Sequence, residues 1–470
     1  MKQNRQNLFS HSGRGKESII YHYFFLAVMI LWVTACKPSE DATKEVQPKV
    51  LASSFDMGVA SYWVKTQLYL CKKGTGFTPP VTSRAFGYAG VTLYESVVGG
   101  MPSNNSLSGQ LSGLSNVPKA DAAKEYNWAL AANAAEAFIV KKLFVNPVDS
   151  TKYYPKIDSL EQALNVLYKV NVTTEVLERS KAYGKAVAAA IYNWSKTDGG
   201  DEGYKRNFPT SYKVPVFVGA WQPTENNIQN PMQPFWGANR LFVEANGKLA
   251  MPKPIDYSTK SNSPYFIQYN EVYQKNKILT QEEKEISVWW SDNPGDTSTP
   301  PGHSVSIANI ALQKVNAKLD KAAEGFAKTG IAVADAFILC WKCKFTYNNE
   351  RPYTYVRYAI DPSWKPFWPA PPFPGFPSGH ATQAGAVCEV LTNLFGDNFA
   401  FTDDSYEGRA NDPLTGTAFK SRSFASFKDF AVECANSRFY GGIHTHQDND
   451  EGMKNGVLVG KNVNALKFKK

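Results

Sequence analysis

The sequence predicts an all-α protein made of two helical bundles, over residues 57–292 and 300–470, with the chemistry gathered in the second. Three observations predict it. Apolar residues recur at helical spacing in most segments beyond residue 56. No stretch alternates apolar and polar residues for long enough to support a sheet, and no internal repeat is present. Finally, 470 residues with 43% hydrophobic and 13% aromatic content are enough for one large or two medium folded domains.

The formal charge is +9, of which residues 1–36 contribute +3 (Lys2, Arg5, Arg14 and Lys16 against Glu17), leaving +6. No Lys/Arg cluster accompanies that modest excess, so it points to small anionic substrates or solubility and away from nucleic acid. Behind the basic residues, the apolar run at 19–32 is too short for a comfortable membrane span and leads into Val33-Thr34-Ala35-Cys36. Small residues directly before a cysteine resemble a bacterial lipobox. This predicts export, cleavage before Cys36, a lipid on Cys36 as the membrane attachment, and a polar tether over 37–56. Ordinary cleavage near Ala35 or an uncleaved anchor are the alternatives, and the expected location is periplasmic or cell-surface.

Helices are expected over 56–73 and 83–100, separated by a turn containing Gly74, Gly76, Pro79 and Pro80, and then over the alanine-rich 118–145, 158–170 and 174–196. From 201 to 263 proline and aromatics replace the pattern, predicting an irregular cover on the bundles or a pocket wall. Helical patterns return at 265–274 and 280–291, after which Pro300 and Pro301 are expected to stop the chain before His303. His303 reads as a helix cap or, paired with Asp296, as a group reaching the pocket mouth. The segment 322–346 delivers Trp341 and Lys344 at a helix end, with Cys340 and Cys343 one turn apart as buried thiols and no disulfide assigned. A proline-dense run brings Trp364, Phe367, Trp368 and Phe373 close to Ser378, as packing or as an apolar rim. Residues 397–423 read as a polar surface loop, and the last helices are expected to end at Arg438 and to run from 446 to 467.

Three segments carry the chemistry: Lys344 seven residues before Arg351-Pro352, then Pro377-Ser378-Gly379-His380, then Ser437-Arg438 followed by His444 and Asp448. Lys344, Arg351 and Arg438 supply fixed positive charge, and guanidinium forks suit the paired oxygens of a phosphate-like or vanadate-like anion. Ser378 and Gly379 precede Val387, Val390, Leu391 and Leu394 at helical spacing, so the anion would meet a helix N-terminus. Of His380 and His444, one can act as nucleophile or metal ligand while the other moves protons, and Asp448 can hold the His444 imidazole in one tautomer. Each segment alone is also compatible with a turn, a cap or a solvated helix end. Their joint occurrence in this order is the signal.

Together the segments resemble the signature of the type 2 phosphatidic acid phosphatase and vanadium-dependent haloperoxidase superfamily, with every signature position filled. The resemblance covers the C-terminal third of the chain. It implies an all-α helical bundle, with Lys344, Arg351, Ser378, Gly379 and Arg438 as oxyanion ligands, His444 as axial vanadium ligand or phosphoryl-accepting nucleophile, and His380 as acid/base. One implied activity is a vanadate-dependent haloperoxidase oxidising iodide or bromide with hydrogen peroxide to hypohalous acid, Lys344 polarising the bound peroxide. The other is an exported soluble acid phosphatase working through a phosphohistidine without a cofactor. The long helical half before the motifs and an aromatic pocket of Trp341 and Phe373, with His303 nearby, favour the peroxidase; the lack of further membrane spans disfavours a membrane lipid phosphatase. Cys340 and Cys343 beside Lys344 fit an oxidant-producing site only if they are sealed. An exported binding protein that keeps the cage without turnover is the third reading. Halide preference and oligomeric state are not written in these motifs.

Overall fold

A computed structural model describes residues 50–224 and 228–470, so the expected leader, the lipobox at Cys36 and the tether up to residue 49 lie outside the described residues. Among the described residues, thirteen α-helices and one two-stranded antiparallel sheet make up the long elements. The N-terminal half consists of α1 (Gly58–Lys73), α2 (Pro79–Val97), α3 (Trp128–Leu143), α4 (Ser150–Tyr168) and α5 (Thr174–Ser195). Pro79 and Pro80 open α2 instead of lying in the turn before it, because a helix start leaves its first N–H groups unpaired and proline has none to lose. Asn127 and Thr173 cap α3 and α5 by accepting from Leu130 N and Val176 N. Residues 50–56, counted above with the tether, dock on the body: Ala52 is buried and Phe55 O accepts from Leu319 N.

Every residue of α2 is buried, since it runs through the centre of the molecule against α9 (Leu319–Tyr347). The backbones meet closely there. A Cβ on Gly90 would stand 2.5 Å from the Phe326 carbonyl oxygen, so only glycine lets the two helices approach this far. One continuous hydrophobic core, from Ala52 to Phe468, therefore draws residues from both halves.

The described residues between 198 and 263 form a strap in which the only helical elements are short 3₁₀ turns, one of them packed on α9. Asp198 ties its start to Arg84 of α2 at 2.7 Å. Further along, Met232 O accepts from Trp341 Nε1, and Asp335 of α9 accepts from the backbone N–H groups of Phe242 and Val243. The cover thus satisfies its own backbone through buried side chains of the helix beneath it.

Beyond the strap come α6 (Pro264–Lys277), α7 (Gln281–Trp289), α8 (Thr299–Lys314), α10 (Pro352–Ala359), α11 (Gly379–Phe395), β1 (Phe401–Asp403), β2 (Arg422–Phe424), α12 (Phe427–Tyr440) and α13 (His446–Asn464). Pro300 and Pro301 again lie at a helix start, so His303 sits inside α8 and does not cap it. The expected surface loop at 397–423 contains the β1–β2 hairpin and a fully buried Asp403. Trp364 and Phe367 do not reach the rim: Trp364 packs in a small aromatic cluster with Tyr265, Tyr269 and Tyr355, and Phe367 packs on the main core. Among the described residues no helix is long and apolar enough to cross a membrane.

Candidate active site

Helix termini bring the three sequence motifs together around one cavity of about 280 Å3, which Gly379, His380, Arg438 and His444 line and behind which Lys344, Arg351 and Ser378 are buried. At the first, α9 ends on Asn348 in the left-handed conformation (φ 47°), which turns the chain so that Lys344 in the last turn of α9 and Arg351 at the cap of α10 point to the same side. Lys344 is fully buried and donates to three carbonyls, Pro374 O at 2.8 Å, Gly375 O at 2.7 Å and Pro377 O at 2.6 Å. Burial pulls its pKa down to about 7, while the three acceptors favour the ammonium form. The lysine thereby shapes the loop that carries Ser378.

Ser378 caps α11 by accepting from Ala381 N at 3.4 Å, and its own N–H donates to Asp448 O at 2.8 Å. Gly379 is the first residue of α11, where backbone N–H groups have no intrahelical acceptor, and it lines the cavity with His380. Arg438 lies in the last turn of α12, which runs two residues past the expected end, and donates through Nη1 to Trp290 O at 2.7 Å. Gly442, at φ 76°, then lets the chain reverse so that His444 stands just ahead of α13 and does not begin it.

His444 is held from both sides. Its Nδ1 meets Asp448 Oδ2 at 2.8 Å, and its Nε2 meets Nη1 of Arg351 at 2.9 Å. Arg351 can only donate, so Nε2 carries the lone pair and Nδ1 the proton. The same Asp448 closes a capping box with Thr445 at the start of α13, which fixes the carboxylate before it touches the ring. Burial and the surrounding Arg351, Lys344 and Arg438 charges hold the His444 pKa well below the usual histidine value. Burial likewise pushes Asp448 up, to about 6, against the pull of its hydrogen bonds.

What remains unpaired is informative. Nη2 of Arg351, Nε of Arg438 and Nε2 of His380 are buried polar atoms without a hydrogen-bond partner, although Nε and Nη1 of Arg351 and Nη1 of Arg438 are engaged. Burial and Arg438 depress His380 to about 4, so its ring is neutral near pH 7. A tetrahedral or five-coordinate oxyanion fits this set: one imidazole lone pair, orphaned guanidinium donors and a helix N-terminus. Among the described residues no group of three or more His, Cys, Asp and Glu could hold a metal ion.

The cavity walls are apolar. Trp341, Trp368, Phe373, Met232 and Leu414 line them, with the Phe373 ring 5.0 Å from the Trp341 ring and the same distance from the Arg351 guanidinium. His303, the other suspected pocket residue, is buried behind the cavity and does not line it. Its partners are Asp292 and Asp403, not Asp296. Sequence reasoning missed Asp292, which lines the cavity beside His380, because one aspartate in a turn-rich stretch carries no spacing signal.

A family profile described as the VCPO second helical-bundle domain matches residues 324–469. The curated vanadium chloroperoxidase of Curvularia inaequalis is 24% identical over 383 residues, which is 67% of this chain but 61% of that protein, less than two thirds of its length. Among solved structures, a bacterial vanadium-dependent iodoperoxidase superposes with a TM-score of 0.74 at 34% identity, over 87% of this chain and 96% of that one. A holo-type bacterial vanadium-dependent chloroperoxidase has the same fold at 17% identity, with a TM-score of 0.66 over 84% of this chain and 92% of that one. The chain belongs to the vanadium-dependent haloperoxidase family.

Proposed function

We propose that this protein is a vanadate-dependent haloperoxidase that oxidises iodide, and less readily bromide, with hydrogen peroxide to hypohalous acid. The observation that carries the reading is the clamped His444 ring, which lines the cavity with Arg438 and takes a donor of Arg351 on Nε2, while Nη2 of Arg351 and Nε of Arg438 stay unpaired beside it. The 34% identical iodoperoxidase supports iodide as the halide.

Vanadate bound in this cage supplies a Lewis-acidic centre that activates peroxide toward halide. His444 would hold it through Nε2, Arg351 and Arg438 would neutralise its charge, and the Ser378 hydroxyl and Gly379 N–H would complete the donor set. Lys344, pinned on three carbonyls, keeps the 374–377 loop in place and adds positive charge where negative charge develops. The overall reaction consumes one proton as peroxide and halide become hypohalous acid and water. His380, neutral and beside the cavity, is the group that takes a proton from entering peroxide and returns it. Trp341, Phe373 and Trp368 present aromatic surface on which a large, weakly hydrated halide loses water at small cost. Export and a lipid on Cys36 remain part of the proposal, on the sequence of residues 19–36, and a lipidated Cys36 peptide in mass spectra of the membrane fraction tests them.

The experiment strips the protein of oxyanions and assays peroxide-dependent iodide and bromide oxidation with and without orthovanadate, beside p-nitrophenyl phosphate hydrolysis. Halide oxidation that requires vanadate is the expected result. Phosphate-ester hydrolysis inhibited by vanadate, without halide oxidation, overturns the reading in favour of a phosphatase.

A further inference from the structure

Behind His380 lies a buried charged assembly that the anion cage does not use. His303 stands between two carboxylates, with Nδ1 3.0 Å from Asp292 Oδ1 and Nε2 2.7 Å from Asp403 Oδ2, and all three side chains are inaccessible or nearly so. A neutral imidazole has one N–H, so it would aim a lone pair at one of these oxygens; only the imidazolium satisfies both. The surroundings suit a cation: the Trp290 ring stacks on the imidazole with centroids 4.5 Å apart, and Tyr406 packs at 4.6 Å. Trp289 Nε1 and Ser405 N donate to Asp403, and the Tyr406 hydroxyl donates to Asp292 Oδ1 at 2.5 Å. Burial opposes the charge on His303, but Asp292 and Asp403 outweigh it and raise its pKa to about 10.

The other oxygen of Asp292 faces the site. Oδ2 has no hydrogen-bond partner, lies 3.5 Å from Nε2 of His380, and that nitrogen is unpaired as well. Asp292 holds a left-handed backbone conformation, φ 52°, which aims its carboxylate between two histidines from different helices. The charged and titratable groups around the His380 ring are thus Asp292 from the α7–α8 turn, Arg438 from α12, His444 before α13 and, through Asp292, His303 of α8, while the Cys434 thiol of α12 donates to the His380 carbonyl.

We propose that His303 is a permanent imidazolium which, locked by Asp403, holds Asp292 as a carboxylate against His380, so that these three are positioning residues that orient the site's acid/base and set its proton affinity. The arrangement has a definite sign. The His303 charge absorbs part of the Asp292 field, so His380 feels a shared anion and stays neutral to lower pH than it would beside a free carboxylate. This inference rests on the reading of His380 as acid/base, but the assembly itself can be tested without turnover.

The full chain, labelled with 15N-histidine and free of vanadate, is titrated by NMR; it has six histidines, of which His303, His380, His444 and His446 lie in the described body. In the wild type the His303 ring is expected to keep both protons past pH 8, and this measurement needs no variant. In His303→Gln the His380 midpoint is expected to rise by about one unit, and in Asp292→Asn to fall. Opposite shifts are not what general loosening produces. A wild-type His303 that titrates near an ordinary histidine value, or a His380 midpoint unmoved by both His303→Gln and Asp292→Asn, overturns the proposal. Halide oxidation by the wild type is measured separately, so failure of the peroxidase reading is distinguishable from failure of the assembly.

Discussion

Nη1 of Arg351 lies 2.9 Å from Nε2 of His444, so the donor and the lone pair that an entering anion needs are paired with one another at the cavity wall. Binding must part them. Asp448 on the opposite ring nitrogen keeps the imidazole from following, which leaves a lone pair already oriented for its ligand.

Replacing His444 by alanine is therefore expected to reduce vanadate-dependent iodide oxidation to below about a thousandth of wild type, with helical content unchanged in circular dichroism. Near wild-type turnover in a folded His444→Ala protein would sink the site assignment.

Asp448→Asn should be milder. The amide oxygen can still accept from the His444 ring and cap α13 at Thr445 N, but the charge that raises the basicity of the ring is gone. Vanadate affinity is expected to weaken about 10- to 100-fold, as read by titrating activity against orthovanadate. Complete loss of binding in a folded protein would mean that Asp448 does more than orient the ring.

The Phe373 ring stands 5.0 Å from the Arg351 guanidinium and 5.2 Å from Nζ of Lys344. Phe373→Ala removes both cation–ring contacts but leaves the backbone carbonyl that accepts from Arg351 Nε. Contacts of this kind contribute about 0.5–2 kcal/mol each, so vanadate affinity is expected to fall roughly tenfold. Unchanged affinity with an altered KM for halide would assign the ring to the substrate wall alone.

Glu136, fully buried in the N-terminal bundle, accepts from Gln67 at 2.7 Å and leaves its other oxygen unpartnered. Burial pushes its pKa up to about 8, with the Gln67 bond opposing. The folded state thus keeps a proton that the unfolded chain loses near pH 4, and stability from this group falls as pH rises from about 4 through 8, by at most ~1.4 kcal/mol per unit. Urea unfolding across that window should show the slope in wild type and a flatter one in Glu136→Gln. Equal slopes would show that Glu136 ionises freely in the folded protein.

The anion cage was legible in the sequence because its chemistry demands particular residue types at helix ends: Lys344 and Arg351 flank one terminus, Ser378-Gly379 opens the next, and Arg438 and His444 flank a chain reversal. The helices around it were legible from their periodicity. Pairs of prolines misled, since Pro79-Pro80 and Pro300-Pro301 begin helices where they were expected to interrupt the chain. Asp292 and Asp403 were invisible because each lies in a turn or short strand, and only the tertiary fold brings them to the two nitrogens of His303.

The strap along α9 bears on how long such a catalyst would last. Cys340 and Cys343 lie within a turn of Lys344, yet both are almost wholly covered, Cys343 donating to Pro252 O of the strap and Cys340 to Pro377 O. Burial pushes both thiols up, so the thiolate, the form that reacts with electrophilic halogen, is scarce. The thioether of Met232, by contrast, belongs to a residue of the cavity wall. Ageing of a working enzyme would begin there, as a methionine sulfoxide at the rim, long before either cysteine was touched.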